Sequence, residues 1–410
     1  LYCIALTYKN LFGFLFVTNS IRISKINNNN IMKINQKLTG LIVFLLVYPI
    51  ISFAQISNNT KLLSQPAVSQ SNIAFIYAED LWVANIDGTN PTRLTIDKGI
   101  EGNPVFSPDG KTIAFSAQYD GNTDAYTIPV SGGIPKRLTW HPSGDRVNDF
   151  TPDGKNVIFA SQRNTFTGRY LQLYSVSVNG GNISQLEIPN AFWSSYSDNG
   201  NHLAYTPLYE PYGQWKHYRG GMESRIWIYN VKNHKVEEIP RAGNVGNTTK
   251  PQWMGDHIYY RSDENGEFNL YSYNTKSKQV KQLTHYKDFP VLNLSANNGR
   301  VVYEQGGYLH LYDSVTGNSS QIKVNISTDL LELRERYVSG KNYVRSAAIS
   351  PSGNRVVVDF RGDIITVPAK KGDPKTLTAS TGVHEKYPEW SPDGKRVAYF
   401  SDESGEYALH

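Results

Sequence analysis

From residue 65 onward, apolar and polar positions alternate in short bursts, each closed by a turn signature. Two is the period of a strand, because successive side chains of an extended backbone point to opposite faces. Ile113-Ala-Phe-Ser116, Val157-Ile-Phe-Ala160, Ile258-Tyr-Tyr260 and Val397-Ala-Tyr-Phe400 read as β-strands by this measure. A sustained 3.6-residue period is missing from this region, apart from Asp329 to Tyr337. The pattern predicts an all-β fold.

The bursts belong to one repeated phrase. A strand ends in Ser or Thr, a turn follows, and a second and an aromatic third strand lead to a fourth ending Leu-Thr. The turns are Ser107-Pro-Asp-Gly-Lys111, Thr151-Pro-Asp-Gly-Lys155, Ser197-Asp-Asn-Gly-Asn201, Ser295-Ala-Asn-Asn-Gly299, Ser350-Pro-Ser-Gly-Asn354 and Ser391-Pro-Asp-Gly-Lys395. Pro presets φ in such turns, and Asp-Gly or Asn-Gly accepts the positive φ that follows. Ser69-Gln-Ser-Asn72 and Trp253-Met-Gly-Asp256 are degenerate copies. Successive copies lie 38, 44, 46, 56, 42, 55 and 41 residues apart, the size of a four-stranded propeller blade. Fourth strands end at Arg93-Leu-Thr95, Arg137-Leu-Thr139, Gln282-Leu-Thr284 and Thr376-Leu-Thr378.

Counting copies predicts the organisation. Blades start near Gln65, Asn103, Val147, Phe192, Thr249 and Phe289, so residues 65–325 form a six-bladed β-propeller of four-stranded blades. Blade one supplies all four of its own strands, which leaves ring closure to side-chain packing against blade six. Residues 326–343 read as a linker, and residues 344–410 as the first one to two blades of a second propeller, cut off in mid-blade.

Charge and composition sharpen this picture at the N-terminus only. The net charge of +5 comes from Lys9, Arg22, Lys25, Lys33 and Lys37, and the first acid is Glu79. The remainder is balanced, so the basic character is no argument for nucleic acid. The first methionine is Met32; Lys33 and Lys37, the apolar run Leu41 to Val47 and Ser52-Phe-Ala54 form the parts of a signal peptide over residues 32–54. That apolar run is too short for a comfortable membrane span. Residues 1–31 then read as upstream or disordered sequence, and the product as exported, periplasmic or secreted, without a membrane attachment after cleavage. The single cysteine, Cys3, lies upstream of the repeats and excludes disulfides from them.

Candidate chemistry is sparse. The sequence has no Gly-x-Ser-x-Gly elbow, P-loop, dinucleotide fingerprint or His-Glu-x-x-His. No catalytic residue, metal ligand or cofactor is expected, and the Asp-Gly carboxylates are assigned to turns. Trp82, Trp227 and Trp253 are expected between blades. The hairpin Gln162 to Tyr170 brings Arg163 and Arg169 onto one loop, where guanidinium forks could hold a carboxylate. A second insertion, Leu208 to Gly221, carries four aromatics and reads as a lid or an interdomain contact.

These blades resemble those of the tricorn protease family. The resemblance rests on Ser107-Pro-Asp-Gly-Lys111, on Gly88 and Gly132-Gly133, on Arg361-Gly-Asp-Ile-Ile-Thr-Val-Pro368 and on Tyr387-Pro-Glu-Trp-Ser-Pro-Asp-Gly394. It implies the N-terminal propeller portion of a large serine peptidase, with a seven-bladed second propeller, a PDZ domain and the catalytic core beyond these residues. It also implies a channel or gate for peptides or unfolded polypeptide, homo-oligomers of the full-length form, and a carboxylate-holding role for basic residues at about Arg163 and Arg169. The Ser-Pro-Asp-Gly-Lys turn is shared with TolB-type binding propellers of the cell envelope and with prolyl-oligopeptidase-type hydrolases, which stay open as alternatives.

Overall fold

The computed structural model describes residues 59–209, 216–241, 245–330, 337 and 339–410. The signal peptide expected over residues 32–54 and residues 1–31 lie outside them, as does most of the segment from Asp329 to Tyr337. Two compact units are present, the first ending at Thr328 and the second running from Asp329 to His410.

In the first unit the described residues build six four-stranded antiparallel sheets, each a meander in sequence order. The first strands are Ser64–Val68, Glu101–Phe106, Asp145–Phe150, Ser194–Tyr196, Thr248–Met254 and Val291–Asn297. They touch one another in a closed cycle, with the sixth against the first, so they line the axis of a six-bladed propeller. Six apolar clusters fill the six spaces between neighbouring blades. Phe75, Trp82, Val302, Leu309 and Ile322 are buried in the closing space between blades six and one. Second strands are covered on both faces, as in Asn72–Tyr77, where four consecutive residues are buried.

Both sequence signatures have a hydrogen-bonding cause. In the turns, Ser107 Oγ donates to Asp109 Oδ1 (2.6 Å), which also accepts from the Lys111 N–H (3.1 Å). The same pair of bonds forms around Asp153 and Asp393. The hydroxyl bond holds the Asp109 carboxyl below its ordinary range. Gly110, at φ +70°, supplies the left-handed residue. In the Leu-Thr signature, the Thr hydroxyl accepts the first free N–H of the third strand: Leu81 to Thr95, Ala125 to Thr139 and Leu270 to Thr284, each 2.9 Å. The preceding Arg93 and Arg137 reach back to Asp80 and Asp124 at 2.5 Å.

Blade one owns its four strands, yet side-chain packing is not the whole of the closure. The Thr60 N–H donates to Val324 O (2.8 Å) and the Leu62 N–H to Gly307 O (2.7 Å). Glu304 accepts from the Gln65 N–H (3.1 Å), and Ser295 Oγ from the Val68 N–H (3.2 Å). The closing seam is therefore stitched by main-chain donors from blade one.

The second unit holds a four-stranded sheet, with strands Val344–Ile349, Arg355–Phe360, Asp363–Pro368 and Lys375–Thr376, and a three-stranded one over residues 385–409. Both are blade-like meanders.

Candidate functional site

The axis is shaped by a repeated irregularity in the first strands. Gln65-Pro66, Asn103-Pro104 and Lys250-Pro251 sit at register shifts, with Gln65, Asn103 and Lys250 at φ +49°, +51° and +55°. A bulge leaves a residue out of the ladder, and Pro has no N–H to lose there. These three residues all line the axial cavity.

Around its waist the side chains form a girdle that crosses every blade. The Asn103 N–H donates to Gln65 Oε1 (2.7 Å), and Gln65 in turn donates to Glu304. Asn293 Nδ2 donates to the same Glu304 oxygen (2.6 Å), and Lys250 Nζ donates to Asn293 Oδ1. Lys250 also lies over the Trp193 ring at 4.3 Å, and Arg146 over that ring at 4.9 Å. The waist has a free volume of about 50 Å³, enough for about three waters.

The cavity widens on both sides. One mouth, of about 410 Å³, lies by the hairpins between second and third strands and is lined by Glu101, Gln118, Arg146, Trp193 and Lys250. The other, of about 470 Å³, is lined by Asp149, Ser195, Asp198, Trp253 and Asn297. Asp149 accepts from the N–H groups of Phe150 (2.8 Å) and Tyr196 (2.9 Å), yet enclosure by protein pushes its carboxyl up to about 7. Burial likewise raises Glu101 to about 7, with Asp80 adding repulsion and the Thr95 hydroxyl (3.1 Å) opposing it. Trp253 packs against the apolar cluster between blades four and five, as expected, with its ring stacked on His202 and part of it lining this mouth; Trp82 is buried as expected.

Arg163 and Arg169 have different surroundings. Arg163 Nη2 bonds both oxygens of the fully buried Asp145 (2.8 and 2.7 Å), and its guanidinium lies 4.9 Å from the ring centres of both Phe159 and Tyr174. That guanidinium fixes the base of the hairpin. Arg169 is exposed and makes no ion pair among the described residues. Within the Leu208–Gly221 insertion, residues 216–221 are held to blade five: Arg219 Nη1 bonds Asp263 Oδ2 (2.8 Å), and His217 stacks on Phe268. Residues 210–215 lie outside the described ones. Among the described residues, no three His, Cys, Asp or Glu side chains gather as metal ligands, and no helix is long and apolar enough to cross a membrane.

Sequence reasoning missed the girdle. Its signal was the recurrent X-Pro step of the first strands, seen again as Tyr387-Pro388 at φ +55° in the second unit.

Comparison with known proteins agrees with this architecture. The family model of the tricorn protease N-terminal beta propeller domain matches residues 60–318. A putative tricorn protease homolog 2 of Streptomyces coelicolor is 28% identical over 365 residues, 85% of this chain and 30% of the relative. A tricorn protease homolog of Saccharolobus solfataricus is 24% identical over 80% of this chain and 30% of the relative. The crystal structure of the tricorn protease superposes with a TM-score of 0.61 at 20% identity, over 85% of this chain and 43% of that one. The chain thus spans about a third of the length of these curated relatives. With the model matching most of the six-bladed unit, the chain belongs to the tricorn protease N-terminal propeller family.

Proposed function

We propose that this chain is the substrate-handling part of an exported tricorn-like serine peptidase, and that its six-bladed propeller is a conduit for peptides or unfolded polypeptide. The observation that carries the reading is the axial cavity, whose waist is lined by the first-strand region of all six blades and which opens toward both faces. Bulged, proline-interrupted strands turn polar side chains toward the axis, where they can exchange hydrogen bonds with a passing backbone. Hydrolysis itself is assigned to sequence beyond these residues. Acyl transfer needs a nucleophile, a base and oxyanion donors in one dry site, whereas the serines and aspartates of this repeat are engaged in turns and inter-blade bonds. Exposed Arg169 remains the candidate for a peptide carboxylate on the hairpin face, with Arg163 holding the hairpin in place.

The test is to plug the waist. Val105 lines it, and Val105→Trp fills more than the free volume. Binding of fluorescent unstructured peptides should disappear while thermal stability stays close to that of the parent. Unchanged binding by a folded plugged variant would move the interaction to the outer surface and refute the conduit.

A further inference from the structure

Charge is sorted along the axis. The cationic side chains that line the cavity, Arg146 and Lys250, are both at the hairpin-side mouth, each over the Trp193 ring, where they outnumber its one acid, Glu101, which is 1% exposed. The opposite mouth carries Asp149 and Asp198, with no Lys, Arg or His in its lining. Asp198 Oδ2 is held by the Gly255 N–H at 3.1 Å, and Asp149 by two main-chain donors, so both carboxylates are fixed in position. Between the mouths run first strands of up to seven residues, about 20 Å at roughly 3.3 Å per residue. Low-dielectric walls keep the field of such separated charges from being screened as it would be in open water.

We infer that the cavity binds an extended peptide of about six residues in a single polarity, with its ammonium end between Asp149 and Asp198 and its carboxylate end at Arg146 and Lys250. The inference rests on the conduit reading and adds ligand length and direction to it. An extended hexapeptide spans about the same 20 Å, so both termini meet an opposite charge only near that length. Shorter peptides satisfy one mouth, and longer ones carry a terminus out into solvent. To span the axis, the ligand must displace the Lys250–Asn293 link at the waist, which exchanges one hydrogen bond for others along the peptide.

The experiment uses the full chain at pH 8, above the value of about 7 to which Asp149 is raised, and peptides of three to ten Ala, Ser and Thr residues. Calorimetry should find the tightest binding near six residues, with N-acetylation and C-amidation each weakening the hexapeptide about three- to tenfold. Asp198→Asn should remove the sensitivity to N-acetylation alone, and Asp149→Asn should do the same if the variant folds. Direction is read from two indole N–H resonances, assigned with Trp253→Phe and Trp193→Phe. A nitroxide on the side chain of the peptide's first residue, with its termini free, should broaden Trp253, and one on the side chain of the last residue Trp193. Reversed broadening, equal broadening of both indoles, or broadening of one indole from either end would overturn the polarity and leave the conduit standing. Failure of every peptide to bind would overturn both.

Discussion

Replacing Glu101 by Gln should stabilise the protein, by an amount that grows between about pH 4.5 and about pH 7 and is nearly flat above that. Glu101 begins the first strand of blade two and is 1% exposed, with the Tyr119 and Thr95 hydroxyls favouring its charged form and Asp80 close by opposing it. The equivalent acid of blade three, Asp145, has Arg163; among the described residues Glu101 pairs with no such cation, so desolvation dominates and its pKa rises from 4.5 to about 7. Between those values the folded chain holds a proton that the unfolded chain has released. Stability conferred by this site therefore falls as pH rises from about 4.5 and levels off above about 7. The difference of about 2.5 units corresponds to about 3 kcal/mol at most, at about 1.36 kcal/mol per unit. Gln mimics the protonated form at every pH. Urea unfolding of the propeller transition at pH 5, 6, 7 and 8 should give a variant-minus-parent difference of about 1 kcal/mol at pH 5, growing to about 3 kcal/mol in favour of Gln by pH 7 and changing little from there to pH 8. A salt-bridged carboxylate would behave in the opposite way, because removing its charge would strand a buried cation at a cost of about 3–5 kcal/mol. A difference that is flat with pH, or a Gln variant less stable at pH 8, would refute the reasoning.

Arg163→Ala leaves the buried Asp145 without its cation and should cost about 3–5 kcal/mol in urea unfolding, whereas Arg169→Ala should stay within about 0.5 kcal/mol. In the proposed full-length peptidase, Arg169→Ala should weaken free-acid peptides and spare C-terminally amidated ones; equal loss would reduce it to a loop residue. Glu304→Ala removes the acceptor shared by Gln65 and Asn293, so hydrogen exchange should accelerate in the first strands of blades one and six before the other blades; uniform acceleration would show that the seam is no weaker than the rest. The 410-residue chain assayed with fluorogenic peptides should give only the buffer rate, and turnover abolished by a single Ser→Ala change would relocate the chemistry to these residues.

The sequence by itself determined the architecture, because the propeller is built from local rules repeated. A Ser-Pro-Asp-Gly turn closes its hydrogen bonds within five residues, and the Leu-Thr ending satisfies a donor 14 residues away in the same blade. Such contacts write their own spacing into the chain, so blade number and strand order can be counted. The tertiary structure alone decided what happens where blades meet. Glu304 accepts from Gln65, 239 residues away, and Lys250 reaches Asn293 and Trp193 across two blade boundaries. Nothing in local spacing distinguishes these side chains from other strand residues. The same holds for Arg163 and Arg169: one loop suggested one site, but the guanidinium nearer the sheet meets a buried carboxylate from a neighbouring strand, and the other reaches solvent. Local hydrogen bonds set the blades; the ring brings distant charges within range, and there Coulomb and desolvation energies choose the partners.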